Sequence, residues 1–264
     1  MPMNHAHLRR LAPTPARPKR ELTSILDLMP SSLELLSAAS MARQGIELLS
    51  NAANGRRFVS VLTSMQSHLR AANVSVLVTE PREAPELLNP EELSRSQRRW
   101  LGQLALELYF AQLFRSEVAV VDLWPSRLGV DAAGDAVWSP RPFYLRWDPR
   151  FRDALCDIYA GLFLSDADRF ELGVAELGLG SPAKALVEHF GDSNQRSVRF
   201  GSTELRRTLI AMSKERSDSD RRLHPNFVAF GLYLSSLHGL LESLDMAFDV
   251  RAAFMRAYPG SSQR

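Results

Sequence analysis

Val120 to Asp148 reads VVDLWPSRLGVDAAGDAVWSPRPFYLRWD, and this stretch sets how the rest of the chain is understood. It continues an extended run, Glu117 to Leu123, into Leu128 to Trp138, which reads as a hairpin turning at Asp131-Ala-Ala-Gly134. Trp124, Trp138, Phe143, Tyr144 and Trp147 crowd the same stretch. Aromatics at alternating spacing more often fill a core than frame a ligand. Polar chemistry is sparse. Asp122 and Arg127 precede the hairpin, and Pro140 follows it.

Outward from this stretch the chain reads as helical. On the N-terminal side, Ser94 to Phe114 places Leu101, Leu104, Ala105 and Leu108 on one face. Asn89-Pro90-Glu91-Glu92 before it has the cap, proline and acid chemistry of a helix start. Val74 to Thr79 is short and β-branched, a strand pattern. Ala42 to Ala71 repeats apolar residues at three- and four-residue intervals, with Gly55 as a dividing point. Leu22 to Ser37 is a shorter amphipathic helix broken at Pro30. Residues 1–20 carry four prolines, five Lys or Arg and no acid. Such a segment buries too little apolar surface to order itself and reads as a flexible basic arm, leaving 21–264 as one domain.

On the C-terminal side, Asp148-Pro149 and Ser165-Asp166-Ala167-Asp168 look like helix N-termini. Gly178, Gly180 and Gly191 are stops, with Pro182 opening a helix between them. A further helix is expected from Ser202 or Thr203 to about Ser213. Pro225 to Phe248 is expected as the longest late helix, and Asp249 to Tyr258 as the last. The expected fold class is therefore mainly α, of α+β type, with a small hairpin and short strands.

Composition narrows function by exclusion. At 264 residues, 45% hydrophobic and 23% charged, the chain matches an ordinary globular protein. A formal charge of +2 does not argue for nucleic-acid binding. Lys19, Lys184 and Lys214 are the only lysines, so few are on hand for a phosphate. The single cysteine, Cys156, rules out an internal disulfide and a cysteine metal cluster. The six histidines show no metal-ligand spacing, and no metal or cofactor is expected. Phe227 to Phe248 is too interrupted by polar residues to span a membrane. With no signal peptide pattern at the N-terminus, the cytoplasm is the expected compartment.

The 120–148 stretch resembles, without a gap, the segment HADPHPGNLLVDPDGRLVLLDFGMVGRLD of the UbiB (AarF) family of atypical kinase-like proteins. MARQGIELLSNAANGRRF is similar to that family's helix pattern RRELDFRREAANAERF. VLVTEPREAPEL resembles its strand-and-hinge pattern VLVMEYIEGVPL, and LELYFAQLF its helix before the catalytic loop. Two later blocks, DPRFRDALCDIYAGLFLSDADRFELGVAELG and LHPNFVAFGLYLSSLHGLLESLDMAFDV, look like its later helices. Together the blocks cover roughly Met41 to Pro259. The resemblance implies a kinase-like C-lobe from which the nucleotide-binding lobe is largely missing.

The departures are chemical. Kinase-type phosphoryl transfer uses a lysine held by a helix glutamate, a loop aspartate, and Asp plus Asn ligands for magnesium. The family's DFG aspartate falls on Pro140 and its HPGN asparagine on Arg127. Its helix glutamate falls on Asn51, and a preceding acid pair becomes Gly45 and Glu47. Asp122 is the one kinase-like position retained, with Glu47 a weaker companion. The resemblance thus implies a pseudokinase that acts by binding, linked to isoprenoid or quinone lipids and to membrane surfaces. A protein partner or a second copy of the chain is expected to cover the face of the missing lobe. Two alternatives stay open. One is a helical small-molecule or lipid-binding protein whose remodelled cleft is lined by Arg127, Trp124 and Trp138. The other is an accessory enzyme with chemistry unrelated to phosphate.

Overall fold

A computed structural model of the chain describes residues 50–51, 54–179, 183, 187, 190–191, 197–201, 203, 205, 207 and 224–258. The basic arm, the Leu22 to Ser37 helix, Gly45, Glu47 and Pro182 lie outside these residues, as does most of the expected helix after Ser202. Within them the fold is mainly α with small sheets of two or three strands, the expected α+β class. The helices are α1 (Gly55–Ala71), α2 (Arg95–Arg115), α3 (Pro149–Leu164), α4 (Ala167–Leu177), α5 (Phe227–Ser243) and α6 (Val250–Ala257). The strands are β1 (Leu77–Val78), β2 (Val118–Val120), β3 (Leu128–Val130), β4 (Ala136–Trp138), β5 (Tyr144–Arg146), β6 (Val198–Arg199) and β7 (Ala247–Phe248).

Helix boundaries follow from local chemistry. The Asn54 side chain accepts from the Arg57 amide, so α1 starts at Gly55. Asp148 caps α3 by accepting from the Arg150 and Phe151 amides, Asp166 caps α4 and Asp249 caps α6. Gly178 ends α4 in the left-handed conformation, φ +62°. The helix expected over Ser94 to Phe114 forms as α2, but the helix start expected at Asn89 is corrected. Asn89 to Glu92 closes on itself as a turn, with the Glu92 carboxylate accepting from the Asn89 amide at 2.7 Å. Ser94 and Gln97 then form a reciprocal capping box, satisfying two amides at once, and α2 begins after it. The late helix is also shorter than expected. It stops at Ser243, the chain turns through Asp245 at φ +47°, and Ala247–Phe248 becomes β7.

The hairpin forms where expected. β3 and β4 pair antiparallel, Gly129 opposite Val137, and β1 joins β4 in parallel, giving the order β1-β4-β3. The Asp131 carboxylate accepts from the Ala133 and Asp135 amides and holds the turn closed. β2 pairs antiparallel with β5, Ala119 opposite Leu145. β6 pairs with β7, Val198 opposite Phe248.

The core is built around α2, which is buried on nearly all sides from Leu101 to Leu113. Tyr109 and Phe110 meet Tyr159 and Phe163 of α3, and Phe110 meets Phe254 of α6 edge-on at 5.7 Å. Burying each such ring contributes about 2–3 kcal/mol, so α2 is held by its surroundings more than by its own propensity. One polar side chain inside this core is bonded at both its nitrogen and its oxygen. Gln112 donates to the Tyr233 hydroxyl at 2.7 Å and accepts from the Val120 amide at 2.8 Å. That second bond fixes the end of β2, two residues ahead of Asp122. Close packing places the remaining helices: a Cβ on Gly161 of α3 would stand 2.5 Å from the Phe170 amide nitrogen of α4. Only glycine allows that approach.

Candidate functional site

Asp122 leaves β2 and turns inward, 1% exposed. Both carboxylate oxygens are occupied. One accepts from the Arg141 amide at 2.7 Å and from Arg141 Nε at 2.9 Å; the other accepts from Arg141 Nη2 at 2.8 Å. The Asp122 carbonyl accepts from Trp138 Nε1 at 2.8 Å. The guanidinium lies over the Phe143 ring, 5.3 Å from its centre. A planar fork matched to a carboxylate in this way is a strong, directional pair. With its oxygens so engaged, the carboxylate is poorly placed to take a proton from a substrate or to ligate a cation.

The neighbouring residues also point inward. Arg127 closes a tight turn, its amide donating to the Trp124 carbonyl at 2.7 Å and its carbonyl accepting from the Ser139 amide at 2.8 Å. Its Nε is buried with no hydrogen-bond partner. Trp124 is 6% exposed and packs on α5, where a Cβ at Gly239 would come within 2.7 Å of its ring. Trp138 is fully buried in β4, and Pro140 is buried beside it. The structure therefore brings Asp122 and Trp138 into direct contact and places Arg127 and Trp124 in the same turn. It gives their rings and carboxylate to the interior. Asn51 donates to the Tyr144 carbonyl at 2.8 Å, tying the chain ahead of α1 to β5.

Other candidate chemistry is structural where it is described. His224, Pro225 and Asn226 form the entry turn to α5. The Asn226 amide donates to His224 Nδ1, and Asn226 Oδ1 accepts from the Asp148 amide. Burial lowers the His224 pKa, with the Asp148 charge opposing. Cys156 donates to the Leu113 carbonyl at 3.8 Å, and burial pushes its thiol up to about 12. That keeps it protonated and unreactive. Among the described residues no group of three His, Cys, Asp or Glu side chains could hold a metal ion. Among the same residues no helix is long and apolar enough to cross a membrane.

Among the described residues, clefts open elsewhere, three of them sizeable. One of about 660 Å³ lies between α1 and the β2–β5 pair, lined by Arg57, His68, Arg115 and Arg146, with Arg146 ion-paired to Glu117. A second and a third flank the start of α2. Asp122, Trp124, Arg127 and Trp138 line none of the three. Sequence reasoning missed two features. Arg141 was passed over as the partner of Asp122, and position alone offers little signal for a pair nineteen residues apart. The Arg95, Arg98, Arg99 run was not singled out, although basic residues in a first turn oppose the helix dipole and are legible as such.

No protein-family model and no curated protein matches the sequence. Among solved structures, the chain is similar to the complex structure of Rv3197-erythromycin from Mycobacterium tuberculosis, at a TM-score of 0.48 and 14% identity. The match covers 69% of this chain and 50% of that one. The matched region is thus half the length of that structure, and at this level the likeness carries no argument about ligand or activity.

Proposed function

We propose that this chain is a catalytically inactive, UbiB-like pseudokinase that works by binding, as a scaffold or accessory protein. The observation that carries the reading is the state of Asp122. The one acid that the resemblance aligns with a kinase loop aspartate is bound on both oxygens by Arg141. Pro140 and Arg127 stand where the family's metal ligands would be, one lacking a side-chain oxygen and the other carrying a positive charge. Asn51, aligned with the helix glutamate, is engaged with a backbone carbonyl. Loss of metal ligands removes the main means of stabilising charge on a transferring phosphoryl group.

A protein partner or second copy is supported by Leu77 of β1 and Val59 of α1, apolar side chains 50% and 40% exposed. A link to isoprenoid or quinone lipid metabolism rests on the family resemblance. Burial of Trp124 and Trp138 removes the main support for an aromatic-lined lipid cleft.

Calorimetric titration with Mg-ATP tests the reading. The expected result is no saturable binding at millimolar nucleotide and no release of phosphate. Micromolar binding with turnover would overturn it.

A further inference from the structure

Arg95, Arg98 and Arg99 occupy the first, fourth and fifth positions of α2, so they share one face of its first turns. That placement is unfavourable twice over. Like charges three and four residues apart repel, and cations at a helix N-terminus oppose its dipole. The first turn of α2 holds no acid to offset them. The Ser94–Gln97 capping box already serves the Ser94 and Gln97 amides, which leaves fewer backbone donors beside the guanidinium groups at this end.

Arg199 of β6 joins them across a cleft of about 400 Å³ whose lining also includes Asp245 and Ala247. The Asp245 carboxylate is ion-paired with Arg199. Arg95, Arg98 and Arg99 have no ion pair within the described residues, and the Nε of Arg98 is buried without a hydrogen-bond partner. A buried donor on a charged group is costly to leave unmet. Among the described residues three positive charges without an ion pair thus surround one concave volume, on a helix that would be more stable without them.

We propose that this cleft binds the pyrophosphate group, or an equivalent closely spaced pair of phosphates, of a small soluble ligand. A carboxylate brings one negative charge, too few for three guanidinium groups. A pyrophosphate brings enough charge and enough oxygens for several two-bond contacts, which the arginine fork is shaped to make. The formal charge of the whole chain is only +2, so the basic character of this cleft is not that of a generally basic chain. The cleft shares no lining residue with the Asp122 region, and the inference stands apart from the pseudokinase reading.

The test is calorimetric titration of inorganic pyrophosphate into the full chain and into Arg98→Gln and Arg95→Gln, with circular dichroism confirming that each is folded. Saturable binding is expected in the parent chain, weakening as sodium chloride rises. Each variant should bind at least about tenfold more weakly. Arg57→Gln, which lies outside the cleft, should bind as the parent does. Absence of saturable binding at millimolar pyrophosphate overturns the proposal, as does unchanged affinity in both cleft variants. Binding to vesicles of phosphatidylserine and phosphatidylcholine without binding of free pyrophosphate also overturns it, since that marks a flat basic surface.

Discussion

At Asp122 a buried carboxylate meets a guanidinium from nineteen residues away, and both oxygens are engaged. At the start of α2 three guanidinium groups gather on one face with no ion pair among the described residues, the Asp245 carboxylate of the same cleft being paired with Arg199. The first arrangement completes itself within the chain and contributes to holding the fold. The second is left incomplete by the chain and detracts slightly from the fold's stability. Charge that a protein neutralises internally is architecture; charge that it assembles and leaves uncompensated is where a ligand of opposite sign gains most.

The contrast breaks most sharply at Arg141. Replacing it with alanine strands the Asp122 carboxylate in the interior and should lower stability by about 3–5 kcal/mol, measured by urea denaturation. Replacing both partners with apolar residues of similar size should recover most of that loss, because no buried charge then remains. A double variant as unstable as Arg141→Ala would mean that the pair matters for more than neutralisation.

His238 sharpens the contrast from another side, as a buried base that avoids the problem by staying neutral. Burial lowers its pKa from 6.5 to about 4, with a backbone hydrogen bond to Gly201 opposing. The unfolded chain takes up a proton near pH 6.5 and the folded chain only near pH 4. Stability is therefore fully present above about 6.5 and falls as pH drops through that window, by about 3 kcal/mol in total. Denaturation followed between pH 7 and 4 should show this slope, and His238→Gln should flatten it.

The smallest effect lies at the arginine cleft. Arg95→Glu should raise thermal stability, by about 0.5 kcal/mol, because it exchanges a charge that opposes the helix dipole for one that complements it. A destabilised variant would instead assign Arg95 a structural role.

Much of the fold was legible because local chemistry decided it. Asn54, Asp148, Asp166 and Asp249 cap helices, and Asp131 closes the hairpin, each through bonds to amides two to four residues away. The errors arose where two local solutions competed. Asn89 satisfied Glu92 and left Ser94 to start α2. At the end of α5, apolar periodicity ran on through Phe248, but pairing with β6 drew the last two residues into a strand. At the candidate site, residue identity alone marked Asp122 as the retained acid, whereas its pairing with Arg141 depends on how the loops on either side of the hairpin come together. Such long-range partners leave no periodic trace.

The central position of α2 bears on how the molecule is made. Its contacts reach far along the chain: Gln112 to Tyr233, Arg115 to Ala257 and Gln103 to Asp249 span 121, 142 and 146 residues. A ribosome needs on the order of ten seconds to synthesise that interval. Throughout it the nascent chain carries a helix whose apolar middle, Leu101 to Leu113, still lacks the part of its cover that α5 and α6 supply. Folding of this protein is therefore bound to finish after translation of α6, and its demand for chaperone protection should centre on α2.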